Sequence, residues 1–382
     1  MQLRYNFRIH PTLDQQIALA RAFGCARVVY NDNLRVREEA HIAGKVLADT
    51  SIQRLVVTEA KRTVERAWLA EVSSVVLVQA CQDARMAYRN WFDSMSGKRQ
   101  GAKLGKPRFR SRKDKRQTIR LTRNGFSLRD NGRLYVAKVG EVKVAWSRDL
   151  PSAPSSVTIV KDAVGRYFAS FVVRVCAKPL PETSAEVGID LGLSTFAVLS
   201  DGKTIASPRF LRQAERKLRR AQKALSRKDV GSKNRAKARI RVAKTHARVA
   251  DMRRDWAHKN STAIIRENQA VFVEDLCVKG LARTRLAKSV HDAGWGMFTR
   301  MLEQKAGRYG RTFAKVDRFF PSSQLCSACG AIDGPKPLSI RSWTCQGCGT
   351  VHDRDRNAAS NILAAGRAER LNACGGTVSP AA

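Results

Sequence analysis

The sequence predicts a multidomain protein of mixed α/β and α+β class. Three observations lead there. A strand-like alternation opens the chain and gives way to a helical pattern that runs to about Gly101. A β-rich stretch with a strong hairpin turn follows, reaching Val175. From Glu186 onward, short apolar strands alternate with long helices, the order expected of a layered α/β domain. With 382 residues, 43% of them hydrophobic, the chain can hold two or three domains and at least one substantial core.

Leu3, Tyr5, Phe7 and Ile9 alternate with Gln2, Arg4, Asn6 and Arg8, which marks a half-buried strand that Pro11 ends. Thr12-Leu13-Asp14-Gln15 reads as a capping box opening a helix that carries Ile17 and Leu19. After a basic loop at residues 103–110, Ile119 and Leu121 alternate with Arg120 and Thr122, and Asn131-Gly132 is a hairpin turn between Phe126–Leu128 and Leu134–Val136. Residues 142–144 and 167–175 continue the β-rich stretch. The opening strand and this segment are expected to form one small β-domain with the helical segment inserted between them.

In the second half, residues 187–192 form a buried strand that ends in Asp190, and residues 195–199 form another. Two heptad stripes follow. Leu211, Ala214, Leu218, Ala221 and Leu225 mark one helix, Ala236, Ile240, Ala243, Ala247 and Ala250 a second, and Gly231 the turn of an antiparallel hairpin. A strand at residues 270–275, a helix around 295–305, a strand at 312–316 and a final helix starting near Arg356 complete the pattern.

Seventy-one Lys and Arg stand against 33 Asp and Glu, a net charge of +38. A surface that positive repels itself until a polyanion neutralises it, so nucleic acid is the expected partner. The longest uncharged apolar stretch, residues 72–82, is too short to span a bilayer. The N-terminus has no apolar run resembling a signal peptide, so a cytoplasmic location is expected and no membrane partner. The six histidines show no HExxH and no nucleophile pairing, and no Walker A loop is present, which leaves hydride, ATP and acyl-transfer chemistry without support.

Cys326-Ser327-Ala328-Cys329 and Cys345-Gln346-Gly347-Cys348 are two knuckles separated by 15 residues, each followed by a glycine. That spacing predicts one structural Zn²⁺ on four thiolates, closed to substrate. Cys25, Cys81, Cys176, Cys277 and Cys374 lie scattered and are expected to pack in cores. Acids are scarce, yet Asp190, Glu274 and Asp275 end apolar strands, while Asp353 and Asp355 precede an Ala-rich helix. Carboxylates converging from separate elements can hold two Mg²⁺ about 3.5–4 Å apart for phosphodiester hydrolysis. Each acid also has an ordinary role open to it. Asp353 or Asp355 can cap the helix, Glu274 or Asp275 can pair with an arginine, and Asp190 can serve a turn. The continuously apolar run from Val271 to Val273 does not choose between Glu274 and Asp275.

From Arg209 to Arg254 there are 18 Lys or Arg against three acids, Glu215, Asp229 and Asp251. A solvated helix carries balancing acids one turn away. Their absence reads as a phosphate-tracking surface. Residues 103–115 are basic too, with Phe109 interleaved as a candidate stacking group.

Taken together these residues resemble the TnpB family, nucleases that look like a compact ancestor of type V CRISPR effectors. The resemblance spans nearly the whole chain. It rests on Phe23-Gly24-Cys25-Ala26-Arg27 with Tyr30-Asn31, Gly105-Lys106-Pro107-Arg108-Phe109, Gly188-Ile189-Asp190-Leu191-Gly192, Leu286-Ala287-Lys288 and Asp292-Ala293-Gly294-Trp295. It also includes Phe320-Pro321-Ser322-Ser323-Gln324 and Arg354-Asp355-Arg356-Asn357-Ala358-Ala359-Ser360-Asn361-Ile362.

The resemblance implies a RuvC-type site of Asp190, Glu274 and Asp355 holding two catalytic Mg²⁺, with Zn²⁺ on Cys326, Cys329, Cys345 and Cys348. It implies a wedge-like β-barrel (1–11 and 103–182) with a helical recognition insertion (12–102). A ribonuclease H-like nuclease domain (183–320 and 350–373) would be interrupted by the zinc ribbon (321–349), ahead of a tail (374–382). It further implies a transposon-associated endonuclease, with one chain per guide RNA, that cuts double-stranded target DNA beside a short adjacent motif. Rival readings are a transposase, a guided repressor that does not cut, and a zinc-ribbon DNA-binding protein without RNA.

Overall fold

In a computed structural model of the chain, residues 1–114, 116–337 and 339–373 are described. Two compact units emerge, Met1–Val175 and a second from Cys176 onward. Lys115, Cys374 and the expected tail 374–382 lie outside the described residues.

In the first unit, strand β1 (Gln2–His10) leads through the capping box of Thr12 and Gln15 into the long helix α1 (Leu13–Ile42). A short α2 (Asp49–Gln53) and a run of π and 3₁₀ turns connect to α3 (Ser74–Met95). Strands β2 (Gln117–Thr122), β3 (Phe126–Leu128), β4 (Leu134–Val136), β5 (Gly140–Ala145), β6 (Ser156–Lys161) and β7 (Tyr167–Arg174) follow. All pair antiparallel in the order β2-β6-β7-β1-β5-β4-β3. Strand β1 therefore sits in mid-sheet, hydrogen-bonded on both sides to strands more than 130 residues later in the sequence. The reason is apolar alternation. Tyr5, Phe7 and Ile9 are buried on the face that also buries Leu19, Val29, Leu77 and Phe171, so sheet and helices share one core. Asn131-Gly132 turns the β3–β4 hairpin, with Gly132 at φ 72°.

The second unit begins with β8 (Glu186–Leu191), β9 (Thr195–Leu199) and β10 (Thr204–Ala206). Helices α4 (Phe210–Ser226) and α5 (Lys233–Glu267) form the basic hairpin, turning at Gly231 with φ 90°. Then come β11 (Ala270–Glu274), α6 (Val278–Leu281), α7 (Ala287–Ala293), α8 (Trp295–Tyr309) and β12 (Thr312–Val316). The ribbon hairpin β13 (Ser342–Thr344) and β14 (Val351–Asp353) runs directly into α9 (Arg354–Ala373). The five-stranded sheet has the order β10-β9-β8-β11-β12. Strands β8, β11 and β12 are parallel, and β9 runs antiparallel to both of its neighbours, β8 and β10.

Two expectations need correction. In α4 the stripe Leu211, Ala214, Leu218, Ala221 and Leu225 is half-buried as expected. In α5, however, the buried line is Ala238, Thr245 and Val249, while Ala236, Ile240 and Ala250 are exposed. Alanine recurs at both phases of this helix, so small residues alone did not fix which face meets α4. Cys25 and Cys81 are buried, but Cys176 and Cys277 are exposed, because each falls in the loop just after a strand.

Candidate metal and nuclease site

The four ribbon cysteines come together. Their sulfurs all lie within 4.8 Å of one another, with Cys326 Sγ to Cys348 Sγ and Cys329 Sγ to Cys345 Sγ both at 3.7 Å. Zn–S bonds of about 2.3 Å in a tetrahedron put sulfurs roughly 3.8 Å apart, so the cradle fits zinc. Each knuckle closes by an amide-to-carbonyl bond, Gly330 N to Cys326 O and Gly349 N to Cys345 O, both 2.9 Å. Both glycines need a left-handed backbone, at φ 75° and 72°. The hydroxyl and amide of Thr350 hold the Cys348 thiol down to about 6, whereas at Cys329 the Ala331 amide is outweighed by hydrogen bonds with the neighbouring ribbon sulfurs, which raise that thiol. Trp343 and Ala331 supply the ribbon's small core.

The ribbon is bolted to α9. The Asn357 side chain accepts from Ser327 N at 2.9 Å and donates to Leu325 O at 2.7 Å. Asn361 donates to Ser322 O and Leu325 O, and both asparagines are buried. His352, opposite Trp343 in the hairpin, sets its Nε2 3.0 Å from Cys326 Sγ.

Asp190 lies near the end of β8 and Glu274 at the end of β11. The two strands are parallel, with Ile189 opposite Val273, so the next residue of each is an acid at one edge of the sheet. Asp355 stands in the first turn of α9, near enough to Asp190 for its charge to act on that carboxyl. Close packing makes this possible. A Cβ on Gly188 of β8 would fall 2.2 Å from the carbonyl of Ala359, and one on Gly366 would fall 2.1 Å from the Phe272 ring of β11. Two glycines thus let α9 lie directly on the two acid-bearing strands.

The electrostatics agree with this convergence. Burial, then the charges of Asp355 and Glu274, lift the Asp190 carboxyl to about 7. Burial, then Asp275, raises Glu274. The neighbouring acids behave differently. Asp275 faces Lys315 and Arg318, and their hydrogen bonds and charges outweigh its desolvation and hold it low. Asp353 accepts from Arg356 N at 2.8 Å and caps α9. No group of three carboxylates brings ligand oxygens as close as the cysteines among the described residues. The donor set is nevertheless the hard-oxygen type that Mg²⁺ takes.

Sequence reading missed Arg341. Its Nη1 donates to both Asp355 oxygens at 3.1 and 3.0 Å, and its Nη2 donates to Ser194 Oγ at 3.3 Å. No signal distinguished it among so many arginines, because its position depends on the ribbon folding back over α9.

The basic hairpin is fixed at its root. Buried Asp292 accepts from the amides of Leu211 and Arg212 at 2.8 and 3.1 Å, capping α4 from another element, and pairs with Arg253 at 3.0 Å. No residue of α4 is fully buried, so its cations face solvent.

A family model described as a probable transposase matches residues 170–285, and one described as a Cas12f1-like TNB domain matches residues 295–362. A third, described as a helix-turn-helix domain, matches residues 1–45, where the structure holds one strand and one long helix. A relative from Streptomyces pristinaespiralis, provisionally named an RNA-guided DNA endonuclease, is 44% identical over 98% of this chain and 92% of its own. InsQ of Escherichia coli, provisionally named likewise, is 29% identical over 97% and 93%. In fold, the chain resembles Cas12f1 as seen in an sgRNA–target DNA complex. The TM-score is 0.60 at 15% identity, covering 91% of this chain and 83% of that one.

Proposed function

The chain belongs to the TnpB family, and from that premise we propose that it is an RNA-guided endonuclease that hydrolyses target double-stranded DNA, with Asp190, Glu274 and Asp355 as catalytic carboxylates. One juxtaposition carries the reading. Acids end two adjacent parallel strands, and a helix pressed onto those strands carries a third acid in its first turn whose charge acts on Asp190. The ends of parallel strands are where open α/β sheets place their sites. The order β10-β9-β8-β11-β12 supports a ribonuclease H-like, RuvC-type domain, and the sheet around β1 supports the wedge role.

Two Mg²⁺ held by these carboxylates would supply Lewis acidity at the scissile phosphate and a more acidic water. With its carboxyl raised to about 7, Asp190 would be about half protonated at neutral pH and would have to give up that proton to serve as a metal ligand. Glu274 offers the second strand-end oxygen pair. Arg341 holds Asp355 in a charge-assisted pair, and its guanidinium would be available to a phosphate oxygen only if a cation took over Asp355. The ribbon holds Asp355 through Asn357 and Asn361. The +38 charge and the α4–α5 hairpin suit a guide RNA and target DNA, one chain per guide, with a short adjacent motif admitting the target in a prokaryotic cytoplasm.

The test is to sequence the RNA that copurifies with the chain, program a matching target, and compare Asp190→Ala, Glu274→Ala and Asp355→Ala with Asp275→Asn and Asp353→Asn. Loss of nearly all cleavage in the first three, with guided DNA binding kept, and retention in the last two is expected. Near-parental cutting by any of the three removes that residue from the site. Joining of DNA ends in place of hydrolysis would favour a transposase.

A further inference from the structure

Between α3 and β2, residues 103–114 form a strap with no regular structure, yet it is pinned along its length. Leu104 N donates to Ser94 Oγ at 2.9 Å, and Lys106 Nζ donates to Glu38 at 2.6 Å. Asn31 clasps Arg110 on both sides, accepting from its amide at 2.8 Å and donating to its carbonyl at 3.1 Å. The Arg110 guanidinium lies 3.8 Å over the Tyr30 ring and pairs with Asp83 at 3.2 Å. Immediately before this clasp, Phe109 stands 60% exposed. Lys103, Arg108, Arg112 and Lys113 are exposed as well, and among the described residues none is in an ion pair.

A large apolar ring exposed to water has no role in this unit's core. A protein partner would want an apolar patch of several hundred Å², and one ring amid unpaired cations is not that. An unpaired base on a single strand offers a flat π-face and a phosphate on either side, which matches a ring flanked by cations. We propose that Phe109 is a stacking platform for a nucleobase of single-stranded nucleic acid, its neighbours Arg108 and Arg112 holding the adjoining phosphates. The inference rests on the nucleic-acid-binding part of the reading above and not on cleavage. The Asn31 clasp orders the backbone next to the ring beforehand, so binding does not bear the cost of ordering that segment.

Single strands of RNA carrying 5-iodouridine, and of DNA carrying 5-iododeoxyuridine, are crosslinked to the full-length chain by light, and the attachment point is mapped by mass spectrometry. Attachment at Phe109 is expected, and the strand that gives it identifies the partner. In parallel, affinity is measured across a salt series. Phe109→Leu should weaken binding roughly 5- to 150-fold without changing the salt slope, while Phe109→Trp should bind as the parent does. Because the ring is exposed, both variants keep the fold. Crosslinks that map elsewhere, a Leu variant that binds like the parent, or equal loss in the Leu and Trp variants would each overturn the proposal. A parent that binds neither strand would overturn it together with the guided-nuclease reading.

Discussion

A carboxyl lifted to about 7 sets a proton and a metal cation competing for the same oxygens at Asp190. The folded value stands above the unfolded one, near 3.9, so the native state keeps a proton that the unfolded chain has lost. Metal-free stability should therefore fall as pH rises from about 4 to 7 and stay low above that. Asp190→Asn removes the cost. The variant should melt higher than the metal-free parent at pH 8, with the gain shrinking toward pH 5, as differential scanning calorimetry would reveal. An unchanged melting temperature at pH 8 would mean that neither burial nor the neighbouring carboxylates raise Asp190. Competition has a kinetic face too. At limiting Mg²⁺, cleavage should rise from pH 6 to 8, and excess Mg²⁺ should flatten that rise. The sequence singled out these acids by their position at the ends of apolar strands. Strand periodicity did not separate Glu274 from Asp275, since an apolar run has no parity, and the choice of Glu274 came from the family resemblance. The structure agrees with that choice in leaving Glu274 half-buried while Asp275 turns toward Lys315 and Arg318.

Helix α9 is where the elements become interdependent, since its first turn carries Asp355 while its body lies on β8 and β11 and its asparagines grip the first knuckle. Gly188→Ala would drive a methyl into the Ala359 carbonyl, backbone against backbone, so the helix must shift. Overpacking of this kind costs about 1–3 kcal/mol. Displacing Asp355 by even about 1 Å could cost on the order of 100-fold in cleavage, with guided DNA binding kept. Parallel cleavage and filter-binding assays would separate the two, and full cleavage by a folded Gly188→Ala would free Asp355 from this packing. The ribbon should transmit in the same way. Cys345→Ser is expected to bind less than one zinc per chain by elemental analysis and to lose cleavage through the Asn357 and Asn361 contacts; full zinc with full activity would contradict both. The knuckles were legible because a tetrahedral ion dictates ligand spacing. Strand β6 was not. Pro151 and Pro154 crowd its approach, and a six-residue strand offers little pattern until β2 and β7 pair with it. The α5 face also escaped, because only contact with α4 distinguishes one row of alanines from another.

At the scale of the molecule the decisive quantity is +38, carried by a chain with 33 acids to answer 71 bases. Most acids in the structure are engaged in local pairs, as Glu215 is with Lys288 and Arg219, and Glu186 with Arg367 and Arg370. Surface pairs of this kind contribute little each and leave the excess of cations unanswered. A polyanion that binds the folded state alone then adds stability by mass action. Phosphate contacts also release counterions, so affinity should fall linearly with salt on logarithmic axes. Some 6–10 contacts correspond to a loss of about 10³–10⁵ between 50 and 200 mM salt. The chain should accordingly purify with RNA, and digesting that RNA should lower its melting temperature at low salt. Restoring the RNA, or raising the salt to screen the like charges of the hairpin, should recover part of the loss. Charge reversal offers a sharper control. Replacing Arg216, Arg220 and Lys223 of α4 by Glu should flatten the salt slope by about 3 and reduce the stabilisation RNA gives. A chain that elutes free of RNA, melts identically before and after nuclease treatment and shows no salt slope would require another explanation for its charge.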